Sequence, residues 1–238
     1  MKSIDQLKVK IFADGALKSE MLDMHQKTFI KGLTTNPTLM NKAGIKDYRA
    51  FCKDILTVIK DKPLSFEVFS DDFSDMERQA LEIASWGDNV YVKIPITNTK
   101  SEPCYALVKK LAHKKVKLNI TAMMTLDQVS HVVDALDPNV AAYISIFAGR
   151  IADTGRDPIP IMQSAIDMMK AKPLSELIWA SPRELLNIFQ ADQIGCHIIT
   201  VTHDILKKLA LVDYDLEKYS LDTVKMFYND AVVAGYKL

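Results

Sequence analysis

Short apolar runs alternate along the chain with longer stretches whose hydrophobic residues recur at helical spacing. The runs at 9–14, 30–35, 64–69, 89–97, 116–121, 141–147, 176–181 and 197–201 predict strands. Between them, 72–86 places Phe73, Met76, Ala80, Leu81, Ile83 and Ala84 on one stripe and predicts an amphipathic helix. Thr125 followed by Gln128 predicts a helix start of the capping-box type. Pro158 and Pro182 suit the first turns of helices over 158–170 and 182–190. Beyond Leu221, the spacing of Val224, Phe227, Tyr228 and Ala231 predicts a closing helix.

Repeated strand-then-helix units imply a parallel sheet with helices outside it. About eight such units in 238 residues fit one α/β domain over 1–238. The expected fold is a (β/α)8 TIM barrel with an additional C-terminal helix, rather than an open doubly wound sheet. Neither a GxGxxG nor a Walker A sequence occurs.

The predicted strands carry polar residues where packing alone would put apolar ones. Asp14 ends the first strand, and the second runs into Thr35 and Asn36. Glu67 lies in the third strand, Lys93 in the fourth, Asn119 and Thr121 in the fifth, and Ser145 in the sixth. Asn119 and Thr121 share one face by the period of two, as do Tyr91 and Lys93. In a barrel of this kind, chemistry gathers where the strands end. Lys93 is the most informative of these residues, because an ammonium is costly to desolvate among β-branched neighbours. Desolvation favours the neutral amine, and a neutral amine is a nucleophile toward carbonyl carbon.

Composition narrows the reading further. Lys+Arg and Asp+Glu balance at 30 each, which predicts no nucleic-acid-binding face. An anionic ligand must then be held by a few placed residues. Arg150 follows the sixth strand, while Ser181 and Arg183 follow the seventh, where Pro182 is expected to open a helix. A helix N-terminus, a hydroxyl and guanidinium groups suit a phosphate. Cys52, Cys104 and Cys196 are far apart and form no CxxC pair, so neither a zinc site nor a disulfide framework is expected. Reduced thiols, no apolar signal core at the N-terminus and no membrane-length apolar run predict a cytoplasmic protein without membrane association.

Several segments resemble the transaldolase family, including its small bacterial members and the fructose-6-phosphate aldolases. Gly32-Leu33-Thr34-Thr35-Asn36-Pro37-Thr38-Leu39 resembles the family's TTNP segment, and Val92-Lys93-Ile94-Pro95 its Schiff-base lysine segment. Leu118-Asn119-Ile120-Thr121, Ser145-Ile146-Phe147-Ala148-Gly149-Arg150-Ile151 and Ala180-Ser181-Pro182-Arg183 are similar to further family segments, in the family's order. Gly15, Ile146 and Pro182 depart from the residues usual at those places.

The resemblance implies a TIM barrel, phosphorylated sugar substrates, aldol chemistry without metal or cofactor, and a homo-oligomer. By position it implies that Lys93 forms the imine and that Asp14 exchanges a proton with the C4 hydroxyl. It makes Glu67 and Thr121 the holders of a proton-carrying water. Asn36, Asn119 and Ser145 would bind the dihydroxyacetone unit, Arg150, Ser181 and Arg183 the phosphate, and Thr35 and Phe147 would also belong to the substrate-binding set. The expected reaction moves that unit from sedoheptulose 7-phosphate or fructose 6-phosphate to an aldose phosphate. The alternatives are a fructose-6-phosphate-type aldolase, a related enzyme for a specialised sugar, and a non-catalytic sugar-phosphate binder. Glu67 and Phe147 favour the transferase, because the aldolases resemble Gln and Tyr at these places and Phe147 has no hydroxyl to protonate an enamine.

Overall fold

The computed structural model describes residues 4–238. Eight parallel strands close into a barrel: β1 (Lys10–Asp14), β2 (Ile30–Thr34), β3 (Leu64–Glu67), β4 (Val90–Pro95), β5 (Leu118–Met123), β6 (Ala142–Ile146), β7 (Ser175–Trp179) and β8 (Ile198–Thr202). The strands lie in sequence order and β1 pairs with β8, so the sheet has no edge. Helices fill the connections, as expected of a TIM barrel. All eight expected strands form, although β5 lies two residues later than its apolar run and β3 stops at Glu67.

The strands divide their side chains between two cores. One face packs against the helices and supplies the larger core, including Ile11, Leu33, Phe66, Val92, Ile94, Ile120 and Ile144. The other face points into the barrel, where Phe12, Tyr143, Ile178 and Ile198 form a second cluster with Tyr91 against it. Tyr91 stacks on Tyr143 at 3.9 Å between centroids, and Phe12 meets Tyr143 edge-on at 5.7 Å. Gly32 makes room for this layer: a Cβ there would lie 2.5 Å from the Phe12 ring. The next inward position along the chain on β1, β4 and β6 is Asp14, Lys93 and Ser145, so an aromatic floor underlies a polar layer. That alternation explains why the apolar runs carry polar residues.

The helices begin where local chemistry directs. Asp72 caps Phe73–Ala84, which buries Met76, Gln79, Ala80 and Ile83 but leaves Leu81 exposed. Thr125 and Gln128 form the full capping box of Leu126–Ala135. The helix expected at 158–170 runs Ile159–Met169. The helix expected from Pro182 begins instead at Leu186. Ser181 takes a left-handed φ of +59°, turning the chain before the proline. The Asn187 side chain then accepts the Arg183 and Glu184 N–H groups at 2.8 and 3.1 Å. No helix N-terminus is therefore formed at Pro182.

The closing helix is longer than its apolar spacing predicts, spanning Leu216–Ala234 with Asp215 as its cap. It buries no residue: Val224, Phe227, Tyr228 and Val232 are all at least 59% exposed. No described helix is long and apolar enough to cross a membrane.

Candidate active site

Lys93 points into the barrel from the middle of β4 and is only 7% exposed. Its Nζ donates to the Thr35 carbonyl at 2.9 Å and lies 3.0 Å from Glu67 Oε2. Sheet register explains the second contact, since Glu67 and Lys93 are direct partners across β3 and β4. The amine is thus desolvated, as its strand predicts, but it is paired rather than isolated. Removing either partner would leave an uncompensated buried charge.

Asp14 ends β1 in register with Thr34 and Thr202. Its Oδ1 accepts from Thr34 Oγ1 at 2.7 Å, and Thr34 Oγ1 lies 2.5 Å from Thr200 Oγ1. Burial raises the Asp14 carboxyl above its ordinary value; the Lys93 charge and the Thr34 hydroxyl oppose that shift, and Glu67 adds to it. A carboxyl held this way is suited to taking and returning protons.

A hydrogen-bonded row crosses from β6 to β3. Ser145 Oγ donates to Asn119 Oδ1 at 2.7 Å, and Asn119 Nδ2 donates to Ser65 Oγ at 3.0 Å. Asn119 is also the register partner of Lys93. The row fixes the Asn119 amide, and Ser65 anchors it from the far side. Thr35 Oγ1 and Thr121 Oγ1 are buried with no hydrogen-bond partner among the described residues. Such groups are costly unless something else completes them. Asn36 caps Pro37–Lys42 by accepting the Leu39 N–H at 2.9 Å, which leaves its amide nitrogen as the donor for a ligand.

The remaining expected residues lie two and three strands round the barrel from Lys93, after β6 and β7. The Arg150 guanidinium stands over the Phe147 ring at 5.8 Å. Gly149, in the helix Ala148–Asp153, lets the turn after β7 approach closely, because a Cβ there would overlap the Ser181 carbonyl oxygen. Arg183 forms a two-point pair with Asp153, one bond being 3.0 Å from Nε to Oδ1. A phosphate would meet an arginine that already has a carboxylate partner.

Ser65, Thr34, Thr200 and Asp153 carry contacts that the sequence reading did not assign. Ser65 had a local signal, since it precedes Glu67 by two residues and so shares its face. Thr200 had a similar one, being a hydroxyl inside an apolar run. Beside Asp14 lies a pocket of about 360 Å³ lined by Gly15, Lys42, Thr202, His203 and Lys207 among others, and Asp14 is the one expected site residue in its lining. A larger cleft of about 530 Å³ on the outer wall, beside Tyr48 and Trp86, includes none of the expected site residues. Among the described residues, no group of three His, Cys, Asp or Glu could hold a metal ion.

A family model described as Transaldolase/Fructose-6-phosphate aldolase matches residues 11–235. A protein named "Probable transaldolase" from Thermoanaerobacter sp. is 34% identical over 218 residues, covering 90% of this chain and 96% of its own. A protein of the same name from Dehalococcoides mccartyi is 32% identical, covering 90% and 97%. Among solved structures, 2,3-dimethylmalate lyase superposes with TM-score 0.54 at 12% identity, covering 98% of this chain and 86% of its own. The 3-keto-L-gulonate-6-phosphate decarboxylase from Vibrio cholerae superposes with TM-score 0.52 at 13% identity, covering 82% and 88%. Those two likenesses concern the barrel alone. Matched over nearly its whole length, the chain belongs to the transaldolase/fructose-6-phosphate aldolase family.

Proposed function

We propose that the protein is a transaldolase moving a dihydroxyacetone unit from a ketose phosphate to an aldose phosphate through an imine on Lys93. The observation that carries this reading is the buried Lys93–Glu67 pair at 3.0 Å, on the same inward face as Asp14. Glu67 takes a proton from the Lys93 ammonium, and the free amine adds to the ketose carbonyl carbon. Loss of water gives the iminium, with Glu67 and the Thr121 hydroxyl holding the water that moves the protons. Asp14 then removes the C4 hydroxyl proton, and the C3–C4 bond breaks with its electrons passing into the iminium. An aldose phosphate leaves and an enamine stays on Lys93. The acceptor aldehyde reverses these steps, with Asp14 returning its proton.

The other residues position the substrate. Thr35, Asn36, Asn119 and Ser145 hold the three-carbon unit. Arg150, Ser181 and Arg183 take the phosphate, which competes with Asp153 for Arg183. Phe147, unlike a tyrosine at the same place, offers the enamine no proton. Phe147→Tyr is therefore expected to raise acceptor-independent release of dihydroxyacetone by about tenfold or more. An unchanged partition between release and transfer would remove the ring from this role.

The helix Leu216–Ala234 buries none of its residues and leaves Val224, Phe227, Tyr228 and Val232 exposed together. A second copy of this chain covers it in our reading, symmetric self-association being the commonest assembly. Three buried free thiols suit a reducing cytoplasm.

Release of glyceraldehyde 3-phosphate from fructose 6-phosphate, with and without erythrose 4-phosphate, tests the function. Multiple turnover only with the acceptor is the expected result. Turnover without it would make the protein an aldolase, and release under neither condition would exclude these sugars as its substrates.

A further inference from the structure

Glu67 ends β3 beyond the point where β2 supplies partners. Pairing between these strands is confined to Leu33 with Leu64 and Thr34 with Ser65, after which the Thr35 N–H reaches the Ser65 carbonyl at 3.3 Å. The Val68 N–H bonds the Lys93 carbonyl on the β4 side at 3.1 Å. Alternation along the strand therefore turns both backbone groups of Glu67 toward the β2 side. There the chain has already left the sheet for the helix Pro37–Lys42. The gap is filled by Tyr48, from the start of the helix Tyr48–Val58. Its hydroxyl accepts the Glu67 N–H at 2.8 Å and donates to the Glu67 carbonyl at 2.8 Å.

We propose that Tyr48 is a positioning residue for the Lys93–Glu67 pair, its hydroxyl replacing the missing strand rung and fixing the backbone from which the Glu67 carboxylate reaches Lys93. The proposal rests on the reading of Glu67 as the proton carrier in imine chemistry. Tyr48 is itself well anchored. Its ring meets Phe69 edge-on at 5.3 Å and Trp86 at 6.4 Å. Asp47 caps its helix by accepting the Ala50 N–H at 2.9 Å. Gln79 Oε1 accepts the Phe69 and Ser70 N–H groups at 2.9 and 3.3 Å, so the chain after Glu67 is fastened too. Burial holds the Tyr48 phenol far above its ordinary value, which keeps the proton needed for donation. A carboxylate displaced by a fraction of an ångström loses the geometry that proton transfer requires.

Tyr48→Phe in the full chain, assayed with fructose 6-phosphate and erythrose 4-phosphate, tests this. The ring contacts stay, while the rung and the hydroxyl's contact with the Cys52 thiol are lost. The expected result is a fall in kcat of about tenfold with KM changed by less than about twofold. Because Tyr48 acts through Glu67, that fall should vanish when Glu67→Gln is already present. Wild-type kcat in Tyr48→Phe, or an equal loss in both backgrounds, overturns the proposal while leaving Glu67 in its role. Full activity in Glu67→Gln alone overturns the proposal together with the reading beneath it. If Tyr48→Phe does not fold, Tyr48→4-aminophenylalanine keeps the ring and a donor. It is expected to hold kcat within about threefold of wild type, and a tenfold loss there also overturns the proposal.

Discussion

Lys93→Met is expected to lower kcat by about 10⁴-fold or more while the barrel still folds. Methionine keeps an unbranched chain of similar length, so the neighbours of Lys93 on the inner wall retain their packing. What is lost is the only group of the Lys93–Glu67 pair that can add to a carbonyl carbon. Borohydride added during turnover should leave the mass of the wild-type protein increased by a reduced substrate fragment and that of the variant unchanged. Activity within tenfold of wild type in folded Lys93→Met would end the imine mechanism. The variant also strands the Glu67 carboxylate beside the Thr35 carbonyl, so a modest drop in melting temperature should accompany the kinetic loss.

Asp14→Asn separates function from stability in the opposite direction. Burial is the largest cause acting on this carboxyl, and it raises the folded-state value above the ordinary 3.8. A raised folded-state value means that folding favours the protonated acid. That contribution is complete below the unfolded-state value and is lost as pH rises through the folded-state value. At neutral pH the ionised carboxylate therefore costs stability, and an amide at the same place does not ionise. We expect Asp14→Asn to melt a few degrees higher than wild type at pH 7, at about 2–4 °C per kcal/mol for a chain of this size. The difference should shrink as pH falls toward the ordinary carboxylate range. Carbon–carbon cleavage should drop by about 10²–10³-fold, because no base remains for the C4 hydroxyl. A lower melting temperature at pH 7, or a difference that ignores pH, would show that Asp14 is not strained by burial.

The two expectations draw on different kinds of information. Lys93, Glu67 and Asp14 were legible in the chain because a barrel strand alternates between a helix-facing side and an interior side. In β1, β3 and β4 these three charged residues fall on the interior side by that alternation, whereas Lys31 in the run of β2 is exposed. Strand existence was legible for the same reason, whereas strand ends were not, since they depend on which neighbour still offers partners. β3 ends at Glu67 for that reason. Thr200 stands out locally as a hydroxyl in an apolar run, but its pairing with Thr34, 166 positions away, does not. The engagement of Arg183 by Asp153 is equally invisible, because 30 residues separate them. Pro182 misled because its allowed backbone angle suits a helix start, while the left-handed Ser181 before it decides the direction of the chain.

The helix Leu216–Ala234 has a thermodynamic consequence. A face covered only by another copy of the chain links folding to mass action. Melting temperature should then rise with protein concentration, by an amount that an isolated barrel would not show. A chain shortened before Leu216 should lose that dependence, and a flat dependence in the full-length protein would mean that the apolar face faces water at every dilution. With a second copy on that face, dilution would act as a mild denaturant, and an assay run at low enzyme concentration would sample a less stable protein than a purification does.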